Sequence, residues 1–231
     1  NSSKHVQQSK KLDKQLDFEL PEDAIVVNSY SAEWLSKGFD WVYSNEVTHV
    51  GAGVQTGSWV ELLDRNARVL GYGLYTGREL QSQTTQLNDE LSSERSRVAA
   101  YRFSRSEPIS NLRLLVRMRL ISALQRRELV RASTQIYRLV HAENDDLPGI
   151  RIDVWGAVAT VVFAEQVLLQ FQESICAELP LVLTDLKCIF GHIRADAGQH
   201  QPLGCLWSQS DQEDHELRRE AHELGCRYFV E

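Results

Sequence analysis

The sequence predicts an α+β fold, in which a small, mostly β unit is followed by an α/β unit. Up to about residue 106 the apolar residues fall in short runs rich in β-branched and aromatic side chains, which is typical of strands. From residue 109 they recur at three- and four-residue steps, which indicates an amphipathic helix. We therefore expect a flexible tail over 1–23, a β unit over 24–106 with a loop inserted at 77–97, and an α/β unit over 107–231.

The β unit is expected to contain one helix and a hairpin. Ser31 is the candidate N-cap of a helix over 31–37, and Gly38 can end that helix in the left-handed conformation. Asp64 and Asn66 supply turn chemistry between two strands, so this part reads as a hairpin. The strands are predicted over 24–27, 41–50, 58–64, 68–75 and 98–103.

The α/β unit is expected to alternate strands and helices. Its first helix covers 109–131, a second covers 166–179 and is stopped by Pro180, and a third, charged helix covers 210–224 and is ended by Gly225. Strands are predicted over 135–141, 149–154, 158–164, 186–194 and 226–230.

Charge is unevenly distributed along the chain, whose net charge is −7. Residues 109–151 carry eight arginines against four acidic residues, whereas residues 152–231 carry five basic and thirteen acidic residues. An acidic surface repels phosphate, so any RNA contact should avoid the C-terminal third. That third instead suits a protein partner or a second copy of the chain, as in a homodimer.

The chain offers no sign of membrane insertion or secretion. No apolar run approaches the roughly 18 residues of a membrane span, and the polar N-terminus lacks an apolar signal-peptide core. We therefore expect a cytoplasmic protein without a membrane partner. The four cysteines form no CxxC pair, which disfavours a zinc ribbon and favours reduced thiols.

Several motifs have some features of cofactor or metal sites, but their predicted secondary structure or spacing disfavours that role. Residues 51–57 (GAGVQTG) are superficially similar to a dinucleotide-binding loop, but a strand-like segment follows where a helix is required. His215 and His222 are seven residues apart on a predicted helix, and Cys188 and His192 share a predicted strand. His215 and His222 lack the four-residue step of zinc ligands on a helix, whereas Cys188 and His192 are four residues apart but lie on a strand, so no metal site is predicted.

A dense acidic cluster around His141 could serve acid–base chemistry in principle. The simpler interpretation, which we favour, is that Asp145 and Asp146 build a turn and that Asp153 ends a strand. No catalytic residue is assigned.

The arginines of the first long helix have two interpretations, and both stay open. Arg113, Arg117 and Arg131 are candidates for RNA phosphate contacts, because guanidinium groups bind phosphate in a bidentate manner. Alternatively, this helix face pairs with the acidic C-terminal third.

Two stretches carry a resemblance to a known family. They are SKGFDWVYSNEV at 36–47 and YRLVHAENDDLPGIRID at 137–153. Both resemble hallmark motifs of the PUA-domain SAM-dependent RNA methyltransferases, the family that includes large-subunit rRNA cytosine-C5 methyltransferases. The hairpin and the 119–126 segment (RLISALQR) also resemble the family pattern. The match covers residues 24–165 well and the remainder only by the order of elements.

The resemblance implies an architecture. It implies a PUA-like small β-barrel that binds RNA, a central α/β domain with an EEHEE-like order of strands and helices, and a Rossmann-like catalytic domain. The sequence reaches Glu231 about where the third domain would begin, and the family's SAM loop and cysteine motifs have no counterpart. We therefore expect no Rossmann methyltransferase domain and no cofactor in this chain, with SAM only if such a domain follows.

The sequence departs from the family pattern at a few positions. Asp40 stands where the family usually has proline, and Ala142 and Asp146 stand where it typically has glycine. Within the first domain, Lys37, Gly38 and Tyr43 are the candidate RNA-binding residues, with aromatic side chains stacking on an unpaired base. Trp41 is interpreted as a strand residue of the core or its margin.

These observations lead to one main hypothesis about function. The chain is the RNA-recognition part of a SAM-dependent rRNA methyltransferase-like protein, and it positions ribosomal RNA for a catalytic domain. By itself it is predicted to be inactive, and whether the whole protein is an enzyme is left open. The alternative is a non-catalytic assembly factor, binding RNA or protein, that kept the fold without the chemistry.

Overall fold

The computed structural model describes residues 16–77, 98–194 and 200–209, and the backbone of 219–223 and 226–230. Its first part is a curled, six-stranded half-barrel. The strands are β1 (Ala24–Val27), β2 (Trp41–Tyr43), β3 (Val47–Val50), β4 (Trp59–Leu63), β5 (Val69–Tyr75) and β6 (Val98–Ser104). They lie in the order β2-β6-β5-β4-β1-β3, and only β1 and β4 pair in parallel.

The sheet is a half-barrel, whereas the resemblance implied a small β-barrel. Within the described residues, β2 and β3 are its two edges and do not pair with each other. A 3-10 turn at Ser44–Glu46 interrupts the stretch predicted to be continuous over 41–50, and it redirects the chain so that β3 pairs with β1. The inserted loop predicted at 77–97 lies outside the described residues, apart from Gly77.

Helix α1 (Ser29–Ser36) begins two residues earlier than predicted. Its N-cap is Asn28, whose side-chain oxygen accepts the N–H of Ser31 at 2.8 Å, so Ser31 is not the cap. Ser31 is instead buried inside the first turn. Gly38 follows the helix with a φ of +106°, which confirms the predicted glycine ending.

The second part contains a five-stranded sheet and three helices. The helices are α2 (Leu112–Arg126), α3 (Glu128–Arg131) and α4 (Gln172–Val182), and the strands are β7 (Ile136–His141), β8 (Ile150–Trp155), β9 (Val158–Phe163), β10 (Cys188–Arg194) and β11 (His200–Ser208). The strand order is β11-β10-β9-β8-β7, with β9 and β10 parallel. The run β8-β9-α4-β10-β11 has the expected EEHEE-like order.

The helix predicted over 109–131 is divided into α2 and α3, and the first six residues of the helix predicted over 166–179 form a 3-10 helix. Three further predictions for this part were wrong. Pro180 does not stop α4, which continues to Val182. Because this proline lies in the last turn, the helix loses a single hydrogen bond there. Strand β11 was not predicted, because Pro202 and Gly204 are unusual within strands. Since β11 is at the edge of the sheet, it tolerates both residues.

The third error concerns the charged helix predicted over 210–224. Residues Arg219–Glu223 form strand β12, which pairs with β13 (Cys226–Val230) as an antiparallel hairpin. The aromatic and β-branched residues of β13 favour a strand, and a strand requires a partner for its backbone hydrogen bonds. Pairing therefore overrides the helical propensity of β12. Residues 210–218, with His215, lie outside the described part.

One hydrophobic core joins the two sheets. Leu74 and Tyr101 of the half-barrel belong to the same cluster as Val116 of α2. Phe171, immediately before α4, stacks on Phe103 of β6 with ring centroids 4.5 Å apart. The boundary near residue 107 and the absence of a Rossmann domain stay predictions.

Candidate nucleic-acid interface

A row of aromatic side chains lies at the β2 edge of the half-barrel. We call it the aromatic groove, and its residues are Tyr30, Trp34, Phe39, Trp41 and Tyr43. Consecutive rings lie 4.5–6.5 Å apart between centroids, and the closest pair is Trp34 with Phe39. The groove encloses a cavity of about 220 Å³. Such a row of rings offers faces on which unpaired bases can stack.

The local sequence explains how the rings come together. Tyr30 and Trp34 are four residues apart on α1 and therefore share a helix face. Trp41 and Tyr43 alternate along β2 and share a sheet face. Trp41 is half-buried and packs against the core, which confirms its interpretation as a strand residue, whereas Tyr30 is 61% exposed and Phe39 42% exposed.

The segment between α1 and β2 is held by Arg102 of β6. The side chain of Arg102 is only 2% exposed. Its guanidinium donates twice to Asp40 Oδ1, at 2.8 and 3.0 Å, and also to the backbone oxygens of Leu35, Phe39 and Leu70. All five N–H donors are used. Burial is the main influence on the pKa of Arg102 and lowers it, although hydrogen bonding to Asp40 acts in the opposite direction.

This arrangement accounts for one departure from the family pattern. Asp40 occupies the position where proline is usual, and here its carboxylate is the counter-ion of a buried arginine. An ion pair, instead of the restricted backbone of a proline, thus fixes the loop that carries Lys37 and Gly38.

Two cations lie beside the aromatic groove. Lys37 Nζ is 5.0 Å from the centre of the Trp34 ring and forms an exposed ion pair with Glu33. This lysine, mainly by hydrogen bonding, lowers the pKa of the Glu33 carboxyl. Arg105, which the sequence did not single out, is 61% exposed and donates to the oxygen of Gly38 at 3.3 Å. The predicted residues Lys37, Gly38 and Tyr43 therefore share one site.

Arg113 and Arg117 of α2 lie in a different place. Both bind Glu178 of α4, whose side chain is fully buried between the two helices. Hydrogen bonds from Arg117 and then Arg113 lower the pKa of Glu178. The alternative in which this helix face pairs with the acidic C-terminal third is realised at Glu178. Both arginines nevertheless keep 59% and 45% of their side chains exposed.

Arg131 ends α3 and lines an open cavity of about 450 Å³ together with Tyr137. Burial raises the pKa of the Tyr137 hydroxyl, while Arg131 acts to lower it. This cavity and the aromatic groove have no lining residue in common. The six candidate RNA-binding residues thus fall on three places: Lys37, Gly38 and Tyr43 at the aromatic groove, Arg113 and Arg117 at Glu178, and Arg131 at the open cavity.

The acidic cluster near His141 is structural, as favoured. Asp145 is buried and accepts hydrogen bonds from Arg126, Arg127 and the N–H of His141. Burial acts to raise the pKa of Asp145, but these hydrogen bonds outweigh it and the pKa is lowered. Asp146 has a φ of +57° and completes the turn.

Ala142 also has a positive φ, of +47°. The two positions at which the family pattern has glycine therefore adopt the left-handed conformation that glycine tolerates best. Asp153 lies within β8 and not at its end, where it pairs with Arg138 and Arg151.

Of the residues considered as metal ligands, His215 lies outside the described part of the chain, so the interpretation of the His215/His222 pair stays a prediction. His222 lies on strand β12 instead of a helix, and Cys188 is buried on β10. Across the described residues, no three histidine, cysteine or acidic side chains are grouped so as to hold a metal ion. A helix long and apolar enough to cross a membrane is not found in the described part of the chain.

Comparison with known proteins gives a consistent picture. Residues 25–80 match the family model of a PUA-like domain. The ribosomal RNA large subunit methyltransferase I of Alteromonas mediterranea is 27% identical over 127 residues, which are 55% of this chain and 28% of that protein.

Two solved structures share the fold at 17% identity. One is a candidate SAM-dependent methyltransferase from Streptococcus mutans, with a TM-score of 0.65 over 90% of this chain and 48% of that one. The other is a candidate methyltransferase in complex with SAH, with a TM-score of 0.66 over 90% and 47%. The chain spans at most about half the length of these relatives. Together with the two motifs, the matches confirm that this chain resembles the PUA-domain SAM-dependent RNA methyltransferase family.

Proposed function

We propose that this chain is the RNA-recognition part of a SAM-dependent rRNA (cytosine-C5) methyltransferase-like protein of the cytoplasm. The observation that carries the proposal is the aromatic groove beside Lys37 and Arg105, at the edge of a PUA-like half-barrel. The relative that is named as a ribosomal RNA methyltransferase supports ribosomal RNA as the partner.

The groove suits an unpaired nucleotide next to a duplex. Phe39 and Tyr30 are exposed enough to stack on bases, and each base–aromatic stack contributes about 1–3 kcal/mol to binding. Lys37 and Arg105 stand at the same loop and can contact the flanking phosphates. Arg113, Arg117 and Arg131 are proposed as more distant phosphate contacts, made by the exposed parts of their side chains.

The catalytic step is assigned to another part of the whole protein. SAM would bind there, and a calorimetric titration of this chain with SAM is therefore expected to give no binding heat. A clear binding isotherm would contradict this assignment.

The proposal is tested by titrating a fluorescein-labelled RNA stem-loop at several salt concentrations. We expect Phe39→Ala to weaken binding about 5- to 100-fold, because one stacking face is lost. Lys37→Gln should reduce the slope of log affinity against log salt by about 1. The matched control is Lys187→Gln, since Lys187 is an equally exposed lysine on the central domain. No binding by the wild-type chain at about 50 mM salt, where phosphate contacts are strongest, would refute the RNA role.

A second candidate function, protein binding during assembly, is favoured by an exposed apolar stripe on α2. Leu114, Met118 and Ile121 lie on one helix face and are 53%, 58% and 38% exposed. If the stripe mediates association, Met118→Glu should convert a larger species into a monomer in light scattering. A monomeric wild-type chain would leave the RNA role as the better proposal.

A further inference from the structure

The five-stranded sheet has two faces. One face packs against helices, and the other carries polar side chains that are not part of the core cluster. Ile150, Ile152 and Val154 of β8 point into the core shared with α2 and α4. Side chains alternate along a strand, so Arg151 and Asp153 point to the opposite face. We call the polar end of that opposite face the basic sheet face, formed by Arg138, His141, Arg151, His192, Arg194 and His200.

Strand register brings these residues next to one another. His141 is opposite Arg151, Arg151 is opposite Val162, and Val162 is opposite His192 on the next strand. Arg194 is opposite His200 across β10 and β11. Directly opposed residues have Cβ atoms about 5 Å apart, so Arg151 adjoins His141, whereas Val162 separates Arg151 from His192.

Side-chain contacts agree with the register. Asp153 accepts a hydrogen bond of 2.7 Å from Arg138 Nε and lies 3.2 Å from Arg151 Nε. The rings of His192 and His200 are 6.3 Å apart. Burial, followed by the nearby charges of His200 and Arg151, lowers the pKa of His192.

The charges on this face are not balanced. Among its described residues, this face carries three arginines and three histidines against one carboxylate, Asp153, and the net charge of the chain is −7 with histidine counted as neutral. Arg151 Nε is buried and finds no hydrogen-bond partner among the described residues, despite its nearness to Asp153. Arg138, Arg194 and His200 are solvent-exposed. Because Arg151 Nε is buried, an anion with several acceptor oxygens would use the exposed guanidinium groups of this face, whereas a metal cation would be repelled.

RNA fits this face better than an acidic protein does. Phe190 lies two residues before His192 on the same strand face and is half-buried, so an aromatic ring is placed beside the cations. Flat sheet faces that combine arginine with aromatic side chains bind single-stranded nucleic acid by phosphate contact and base stacking.

We propose that the basic sheet face binds phosphates of the RNA backbone and forms a second RNA contact, separate from the aromatic groove. This inference rests on the proposed RNA-recognition function and extends it to a second surface, of which Arg138, His141 and Arg151 lie inside the motif at 137–153. The face contributes two arginines, Arg151 and Arg194, that are not fully neutralised by Asp153.

The test compares the full chain with its Arg151→Gln/Arg194→Gln variant, using the labelled stem-loop. We expect affinity at about 0.1 M salt to fall roughly 10-fold and the salt slope to decrease by about 1.5 to 2, because two phosphate contacts are lost. The matched control is Arg65→Gln/Arg68→Gln, which removes two exposed arginines from the β4–β5 turn. An unchanged affinity and slope, or an equal loss in the control, overturns the inference while the aromatic groove proposal stands.

A second measurement does not depend on RNA binding. Inorganic phosphate should shift the NMR signals of the His192 and His200 rings in the wild-type chain and not in the Arg151→Gln/Arg194→Gln variant. If the groove variants lose RNA binding and no phosphate-induced shift occurs, the basic sheet face is not a phosphate site. If poly-glutamate displaces RNA from the face more effectively than unlabelled RNA does, the face binds acidic protein and the inference is wrong.

Discussion

Replacing Arg102 by methionine should strongly destabilise the half-barrel. The change keeps much of the side-chain volume but removes five hydrogen bonds, two to Asp40 and three to backbone oxygens. Removing one partner of a buried ion pair costs about 3–5 kcal/mol, because the other charge stays buried without compensation. Arg105 lies 3.9 Å from Asp40 and can offset a part of this cost. We therefore expect the free energy of unfolding to fall by about 3–4 kcal/mol.

Urea unfolding followed by circular dichroism measures this loss. For a chain of this size, each kcal/mol corresponds to about 2–4 °C, so Tm should fall by on the order of 10 °C. The double variant Arg102→Met/Asp40→Asn should recover part of the stability, because no charge is then left buried, and the double-mutant cycle gives the coupling energy. A loss below about 1 kcal/mol for Arg102→Met would refute the view that this ion pair holds the loop.

Three further predictions follow from other buried groups. The pKa values of Asp145 and Glu178 are lowered in the folded state, so both carboxylates contribute fully to stability above their unfolded pKa values near 4. That contribution is lost as pH falls through the lower folded values. Urea midpoints should therefore decrease below about pH 4, and midpoints that do not change with pH would contradict this. Burial raises the pKa of Cys176 to about 11, so mass spectrometry should find it alkylated much more slowly at pH 8 than the exposed Cys205, and equal rates would be contrary to the structure. Ala142→Gly should raise the free energy of unfolding by about 0.5–1 kcal/mol, because glycine relieves the left-handed strain, and a destabilisation would indicate that the strain is absent.

The parts of the fold that local chemistry decides were predictable. The turn at Asp64 is one example: its side chain accepts the N–H groups of Asn66 and Arg68, and the hairpin of β4 and β5 follows. Helix α2 is another, because its apolar spacing needs no tertiary information. The β12 strand was missed because its sequence has helical character and only pairing with β13 makes it a strand.

The candidate site was predicted only in part, for a similar reason. Lys37 and Tyr43 lie inside a recognisable motif, whereas Tyr30 precedes that motif and joins the groove only through the packing of α1. The partner of Arg113 and Arg117 is Glu178, more than 60 residues away along the chain. The local sequence does not distinguish an arginine that is free to bind phosphate from one that is paired with a buried carboxylate.

If both proposed RNA contacts are made, the core shared by the two sheets has a consequence for the length of RNA that binds. Phe171 stacks on Phe103 and Gln170 Nε2 donates to the oxygen of Gly57, so ring packing and a hydrogen bond join the half-barrel to the central sheet. This junction therefore limits changes in the distance between the aromatic groove and the basic sheet face. An RNA long enough to reach both gains the effective concentration of a bivalent ligand, and a shorter one is held at a single end. Selection by length would then add to selection by sequence without any additional contact.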